Sequence, residues 1–123
     1  MRGDPQILEA LNEILTAELT AISQYFVHAK MCENWGYRRL AKKKRDESID
    51  EMKDADSVIE RILFLEGVPN MQRLNAVRVG EDAVEQHRVD LVEIEVDALE
   101  QLRKRASVVA RQSAGAPVAA AAA

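Results

Sequence analysis

The sequence lacks several features that would assign it to particular classes of protein. Its 123 residues include a single cysteine, which excludes an intrachain disulfide. No run of about 18 uncharged apolar residues occurs, so no membrane-spanning helix is predicted. The first residues also lack the basic, apolar and small-residue order of a secretory signal. Together these absences favour a cytoplasmic protein.

The sequence also has no large excess of charge of one sign. Seventeen basic and twenty-one acidic residues give a net charge of −4, and the two signs are interleaved along the chain. Six cations fall within residues 38–45, but no aromatic residues are interspersed among them and no second basic cluster follows. Nucleic acid is therefore not an expected partner.

Three long amphipathic segments dominate the sequence and predict a single all-α domain. We expect this domain to occupy residues 1–111, with helices at about 4–34, 35–66 and 82–111. Residues 112–123 form an alanine-rich tail that can bury little apolar surface.

The segment between the second and third helices has no helical period. From Gly67 to Gly80 it contains Pro69 and is longer than a tight helical hairpin needs, so the helices it joins are expected to be parallel neighbours. Long helices with such a crossing connection are typical of an up-and-down four-helix bundle. A fourth helix is missing from the sequence, and we expect either that another chain fills the groove or that the protein is incomplete.

Three glutamates interrupt the apolar stripes of the three helices: Glu18, Glu51 and Glu95. A carboxylate that faces a packed interior must be protonated, paired with a cation or bound to a metal. Helical bundles build dinuclear iron sites from inward glutamates and Glu-x-x-His pairs. Three residues after Glu51 the chain has Asp54, which can still bind metal through oxygen. Pairing of these acids with arginine or lysine, or exposure to solvent, remains the alternative.

The second helix carries a further apolar stripe on another face, and a helix with two apolar faces needs two partners. Met52 lies at its centre, although a methionine at helical spacing is usually core filler. Its members are Arg45, Ile49, Met52, Asp56, Ile59 and Leu63.

The sequence also suggests roles for one lysine and two histidines on these helices. Lys44 falls on the inward stripe, where we expect it to neutralise Glu47 or to fill the position of a metal. His28 and His87 have no partner at ligand spacing and are interpreted as surface or interface histidines.

A nearly continuous series of short motifs runs from residue 1 to about residue 91. They are Gly3-Asp4-Pro5, Glu18-Leu19-Thr20-Ala21-Ile22, Gln24-Tyr25-Phe26, His28-Ala29, Asn34-Trp35-Gly36, Glu47-Ser48-Ile49-Asp50-Glu51-Met52-Lys53 and Glu60-Arg61-Ile62-Leu63-Phe64-Leu65-Glu66-Gly67. This series resembles the bacterioferritins, the haem-containing branch of the ferritin family. The resemblance implies a ferritin-like bundle and a 24-subunit shell that oxidises ferrous iron and stores it.

The resemblance also implies a set of iron ligands. Glu18 and Glu51 match family ligands, with Glu51 bridging, and Asp54 occupies the position of the family histidine. The third-helix ligand falls between Glu93 and Glu95, and helical periodicity favours Glu95. The ligands of the family's fourth helix have no counterpart, so half of the diiron site is absent and oxidation of iron by this chain stays open.

Two further sites are implied by the resemblance. Met52 matches an axial haem ligand at a twofold axis, which implies a homodimer that holds haem b between two copies of this residue. Asp46 and Asp50 match an inner-surface iron site, while pairing of these acids with Lys42 or Lys53 is the alternative.

Three functions therefore remain open. The chain is an iron-binding and iron-storing subunit, or a haem-binding structural subunit that assembles with full-length partners without oxidase activity, or a non-functional fragment. Oxygen consumption on addition of ferrous iron distinguishes the first from the other two.

Overall fold

The computed structural model describes residues 2–91, and within these residues the regular structure is entirely helical. The helices are α1, Pro5–Asn34; α2, Arg38–Phe64; and α3, Ala83–Val89. The predicted all-α class is confirmed. Residues 92–111 of the predicted third helix and the tail at 112–123 lie outside the described residues.

Both ends of α1 are set by local chemistry. At the start, the side chain of Asp4 accepts a hydrogen bond from the Gln6 amide at 2.7 Å, and Pro5 occupies the first helical position. At the end, Gly36 adopts φ 87°, a left-handed conformation that side chains disfavour. This turn delays α2 until Arg38, two to three residues later than the apolar period predicts.

Helices α1 and α2 form an antiparallel hairpin around the main apolar core. The amide of Gly3 donates to the carbonyl of Leu65 at 2.8 Å, which places the start of α1 beside the end of α2. Each aliphatic side chain that leaves water here contributes about 1.5–3 kcal/mol. The buried members of this core are Leu11, Ile14, Leu15, Ala55, Val58, Ile62 and Leu65.

After α2 the chain runs in extended form along α1, in the same direction as α1. We call residues 67–82 the crossing segment. A row of polar side chains spaced four residues apart on α1 contacts it, and we call this row the polar ladder: Asn12, Thr16, Thr20, Gln24 and His28. Its partners, in order, are the Asn70 amide, the Arg73 Nε, and the amides of Asn75, Arg78 and Gly80, at 2.7–3.2 Å.

The crossing segment returns the chain to the end of the bundle at which α2 begins. There Asp82 caps α3 by accepting a hydrogen bond from the Glu85 amide at 2.8 Å, while the Glu85 carboxylate accepts one from the Glu81 amide at 3.0 Å. Helix α3 therefore starts beside the last turns of α1, where Gln86 Oε1 accepts a hydrogen bond from Cys32 Sγ at 3.2 Å. None of the described helices is both long and apolar enough to cross a membrane.

Candidate metal centre

Three carboxylates from two helices converge in the middle of the α1–α2 hairpin. Glu18 lies on α1, and Glu51 and Asp54 lie one turn apart on α2. One oxygen of each residue lies within 4.8 Å of an oxygen of each of the other two. Glu18 is completely buried, Glu51 is half-buried and Asp54 is exposed, so the group extends from the core to the surface.

The packing of the hairpin sets this arrangement. Leu11 and Leu15 precede Glu18 on the buried face of α1, while Ala55 and Val58 follow Glu51 on the buried face of α2. One turn before Glu51, the hydroxyl of Ser48 donates to the Ile22 carbonyl at 3.0 Å and fixes the register between the helices.

The chemistry of this donor set fits a hard divalent cation. Carboxylates this close repel one another when ionised, and a shared cation removes that repulsion. Carboxylate oxygen is the ligand type that manganese, magnesium and calcium prefer, and it also serves iron in helical bundles. Glu18, Glu51 and Asp54 therefore form an all-oxygen donor set suited to a hard divalent cation.

The other residues singled out in the sequence lie elsewhere. Asp46 and Asp50 are exposed on α2, where Lys42 Nζ lies 2.8 Å from Asp46 Oδ2 and Lys53 Nζ lies 4.0 Å from Asp50 Oδ1. The hydrogen bond to Asp46 raises the pKa of Lys42. Both acids thus have the lysine neighbours of the alternative interpretation. Glu93 and Glu95 lie outside the described residues.

Met52 lies on the side of α2 that faces away from the core. Its side chain is 54% exposed, and the exposed Ile49 and Leu63 continue the same stripe along the helix. The second apolar face of α2 therefore has no partner within the described residues. Large exposed apolar patches are typical of interaction surfaces.

A second buried polar cluster was not predicted from the sequence. The carboxylate of Asp90 accepts hydrogen bonds from Gln24 Nε2 at 3.0 Å, from His28 Nδ1 at 3.0 Å and from Lys44 Nζ at 2.5 Å. Burial alone would raise the pKa of Asp90, but the hydrogen bonds and the charge of Lys44 outweigh it and lower that pKa. All four side chains are buried.

This cluster corrects two interpretations. Lys44 pairs with Asp90, a partner that was not among those expected for it. His28 is completely buried, so the surface alternative of its interpretation is wrong. Both errors have one cause: Asp90 is 46 residues from Lys44 and 62 from His28, and periodicity within a helix reports nothing about such distant partners.

Comparison with known proteins places the sequence in one family. Residues 8–114 match the ferritin-like domain. The chain is 52% identical over 103 residues to a bacterioferritin of Mycobacterium leprae, covering 84% of this chain and 64% of that protein. It is 50% identical over 109 residues to a bacterioferritin of Streptomyces coelicolor, covering 89% and 65%, and 52% identical over 104 residues to one of Rhodobacter capsulatus, covering 85% and 64%. The chain thus spans slightly less than two thirds of these relatives, and it belongs to the ferritin-like domain family.

Proposed function

We propose that this chain binds ferrous iron as cargo and acts as a subunit of an iron-storage protein. The observation that carries the proposal is the convergence of Glu18, Glu51 and Asp54 within 4.8 Å, in a chain about half identical to bacterioferritins. The ion is the substrate of such a protein, and Glu95 is proposed as an additional ligand from the third helix. A cytoplasmic location accompanies the proposal.

The graded burial of the three carboxylates gives each a separate role. Asp54 is exposed and offers the first oxygen to an ion arriving from solvent. Glu51 is half-buried and lies between the other two in depth, so it can pass an ion from Asp54 to Glu18. Glu18 is completely buried, where a lower effective dielectric strengthens its attraction for a cation. The ion thereby exchanges water for protein oxygen in steps.

The test is an anaerobic titration of the purified protein with ferrous iron, monitored by calorimetry. Glu18→Gln and Glu51→Gln each keep the shape of the side chain and remove one charged oxygen ligand. Losing a ligand should lower affinity by at least the roughly 10- to 100-fold that loss of an outer-shell partner costs. The matched controls are Glu9→Gln and Glu60→Gln, which alter exposed glutamates on the same two helices.

The proposal fails if the wild-type protein takes up no iron, or if the control variants lose as much affinity as Glu18→Gln and Glu51→Gln. Oxygen consumption after iron addition then separates storage with oxidation from binding alone. Uptake of iron without oxygen consumption assigns the oxidation step to other subunits of a mixed assembly.

We also propose a second binding function, in which two copies of the chain hold haem b between their Met52 side chains. The exposed apolar stripe around Met52 favours it, because the apolar haem ring can pack on such a surface while the Met52 thioether binds its iron. In this arrangement Asp46 and Asp50 lie on another part of α2, where they are proposed as an inner-surface iron site. A structural subunit without oxidase activity would retain the haem site.

A further inference from the structure

We propose that His28 is a proton-sensitive latch: it holds the end of the crossing segment against α1 and releases it when the imidazole takes up a second proton. The iron-binding carboxylates take no part in this device, and the inference does not depend on the proposed function. It rests on the hydrogen bonds made by the two ring nitrogens.

These hydrogen bonds specify one tautomer of His28. The amide of Gly80 donates to Nε2 at 2.9 Å, so Nε2 carries a lone pair. Nδ1 lies 3.0 Å from Oδ1 of Asp90, an ionised carboxylate that can only accept. The proton of the neutral ring must therefore be on Nδ1, and both nitrogens are satisfied.

A second proton can bind only at Nε2, and there it would point at the N–H of Gly80. Two donors would then face each other and the hydrogen bond between His28 and Gly80 would be lost. Because His28 is completely buried, the new charge would also be deprived of water. Protonation is thus linked to separation of Gly80 from the ring.

Gly80 cannot yield by a small shift. A Cβ atom placed on it would lie 2.5 Å from the backbone nitrogen of Gln86, so the glycine is packed directly on α3. Its carbonyl also accepts a hydrogen bond from Gln86 Nε2 at 3.2 Å. Displacing Gly80 must therefore displace the start of α3 as well. Protonation of His28 would then move both the end of the crossing segment and the first turn of α3.

The charged and titratable neighbours act in different directions. Asp90 of the α3 end favours an imidazolium, whereas Lys44 of α2 opposes it and already binds the other oxygen of Asp90. Cys32, one turn further along α1, stays a neutral thiol because burial raises its pKa. Among the described residues, the contact from the crossing segment is the uncharged Gly80 amide. These groups retain the ring near Asp90 while the Gly80 contact opens.

Hydrogen exchange measured by mass spectrometry tests the latch, with rates corrected for intrinsic exchange and compared between about pH 7.5 and 5.5. In the wild-type protein, peptides covering residues 78–90 should lose protection by up to about tenfold per pH unit, the slope of a one-proton linkage. Peptides from the α1–α2 core should keep theirs. In His28→Gln, whose amide can accept from Gly80 and donate to Asp90 but cannot titrate, residues 78–90 should stay protected.

His87→Gln is the matched control, because His87 is the other histidine of the chain and is exposed. It should behave as the wild type does. Proton-detected nitrogen spectra of the wild-type imidazoles give a second readout that needs no variant, and they should show Nδ1 protonated and Nε2 bare at neutral pH. Constant protection of residues 78–90 in the wild type, an equal loss in His28→Gln, or protonated Nε2 at neutral pH would each overturn the proposal.

Discussion

Among individual residues, Asp54 has the most direct effect on the proposed chemistry. Helical bundles with dinuclear iron sites place a histidine three residues after the glutamate, and here that position supplies a carboxylate oxygen instead. Imidazole suits zinc, copper, iron and nickel, whereas carboxylate suits manganese, magnesium and calcium. An all-oxygen group of Glu18, Glu51 and Asp54 should therefore favour manganese over zinc more than a site with histidine would, while iron accepts both kinds of donor.

Replacing Asp54 with histidine should reverse this preference. We expect Asp54→His to bind zinc several-fold more tightly than the wild type and manganese several-fold less tightly, because one hard oxygen donor becomes an imidazole nitrogen. Competition titrations with the two metals measure the ratio. Asp56→His provides the control, since it adds an imidazole to an exposed position of α2 away from the carboxylate group. A ratio that is equal in wild type and Asp54→His would rule out Asp54 as the selective residue.

The clearest link between a single charge and the stability of the fold is at Asp90. Its pKa is lowered in the folded state, since the hydrogen bonds from His28, Gln24 and Lys44 outweigh the effect of burial. A carboxyl group with a lowered pKa contributes stability above its unfolded pKa, near 3.8, and that contribution is lost as the pH falls through the folded value. The contribution of Asp90 is therefore complete at neutral pH.

Asp90→Asn should destabilise the protein by about 3–5 kcal/mol at neutral pH, because it leaves the buried Lys44 charge uncompensated. Urea unfolding measures the loss. The difference from wild type should shrink when the pH falls below about 4, where the wild-type carboxyl also becomes protonated. Asp50→Asn, at an exposed position with a loose lysine contact, should leave the unfolding midpoint unchanged. An equal effect of the two substitutions would contradict the importance of the buried pair.

At the scale of elements, the polar ladder accounts for the path of the crossing segment. An extended chain makes no helical hydrogen bonds of its own, and the side chains of α1 accept hydrogen bonds from four amides of the crossing segment. The signal is present in the sequence: Asn12, Thr16, Thr20, Gln24 and His28 recur every four residues. A polar line beside an apolar stripe on a long helix would have indicated a docked segment without regular structure.

Thr20 offers a direct test of the ladder. Its hydroxyl oxygen accepts a hydrogen bond from the Asn75 amide at 2.9 Å, so Thr20→Val keeps the shape but leaves that amide unsatisfied. The expected loss of stability is about 1–3 kcal/mol, with faster hydrogen exchange across residues 70–80. Ser57→Ala removes an exposed hydroxyl that bonds only to its own helix, and it should have little effect on either measurement. Unchanged exchange in Thr20→Val would mean that the ladder does not hold the segment.

An element could be predicted from the sequence where the residues that determine it lie close together in the chain. The start of α1 could be predicted because Asp4 and Pro5 act within one turn. The convergence of Glu51 and Asp54 with Glu18 follows from helical spacing plus antiparallel packing, both readable from the apolar stripes. The start of α2 was misplaced because Gly36 turns left-handed, and the partner of Lys44 was missed because it lies across the crossing segment.

At the scale of the whole molecule, the chain presents an apolar face that its described part does not cover. Ile49, Met52 and Leu63 are each more than 40% exposed along α2. The bacterioferritins it matches are longer, and it spans 64% of the protein from Mycobacterium leprae. Assembly with a second copy through α2 would bury this face without any contribution from the rest of the chain.

Met52→Ala tests that assembly together with haem binding. If two copies of Met52 hold the haem iron, the purified variant should lose the haem absorbance, and the wild-type dimer should lose stability on dilution. Absorbance spectra and light scattering measure the two effects. Met71→Ala is the control, because Met71 is equally exposed but lies on the crossing segment. Haem absorbance that persists unchanged in Met52→Ala would mean that Met52 only packs and does not bind the haem iron.

The antiparallel pairing of α1 with α2 has a consequence for how the molecule responds to its surroundings. These two helices carry all three carboxylates: Glu18, Glu51 and Asp54. The contact between the helices does not involve the turn at Gly80. Release of Gly80 should therefore leave the spacing of the three carboxylates unchanged. The proposed iron site and the proposed latch depend on separate contacts, so each can be altered by mutation without the other.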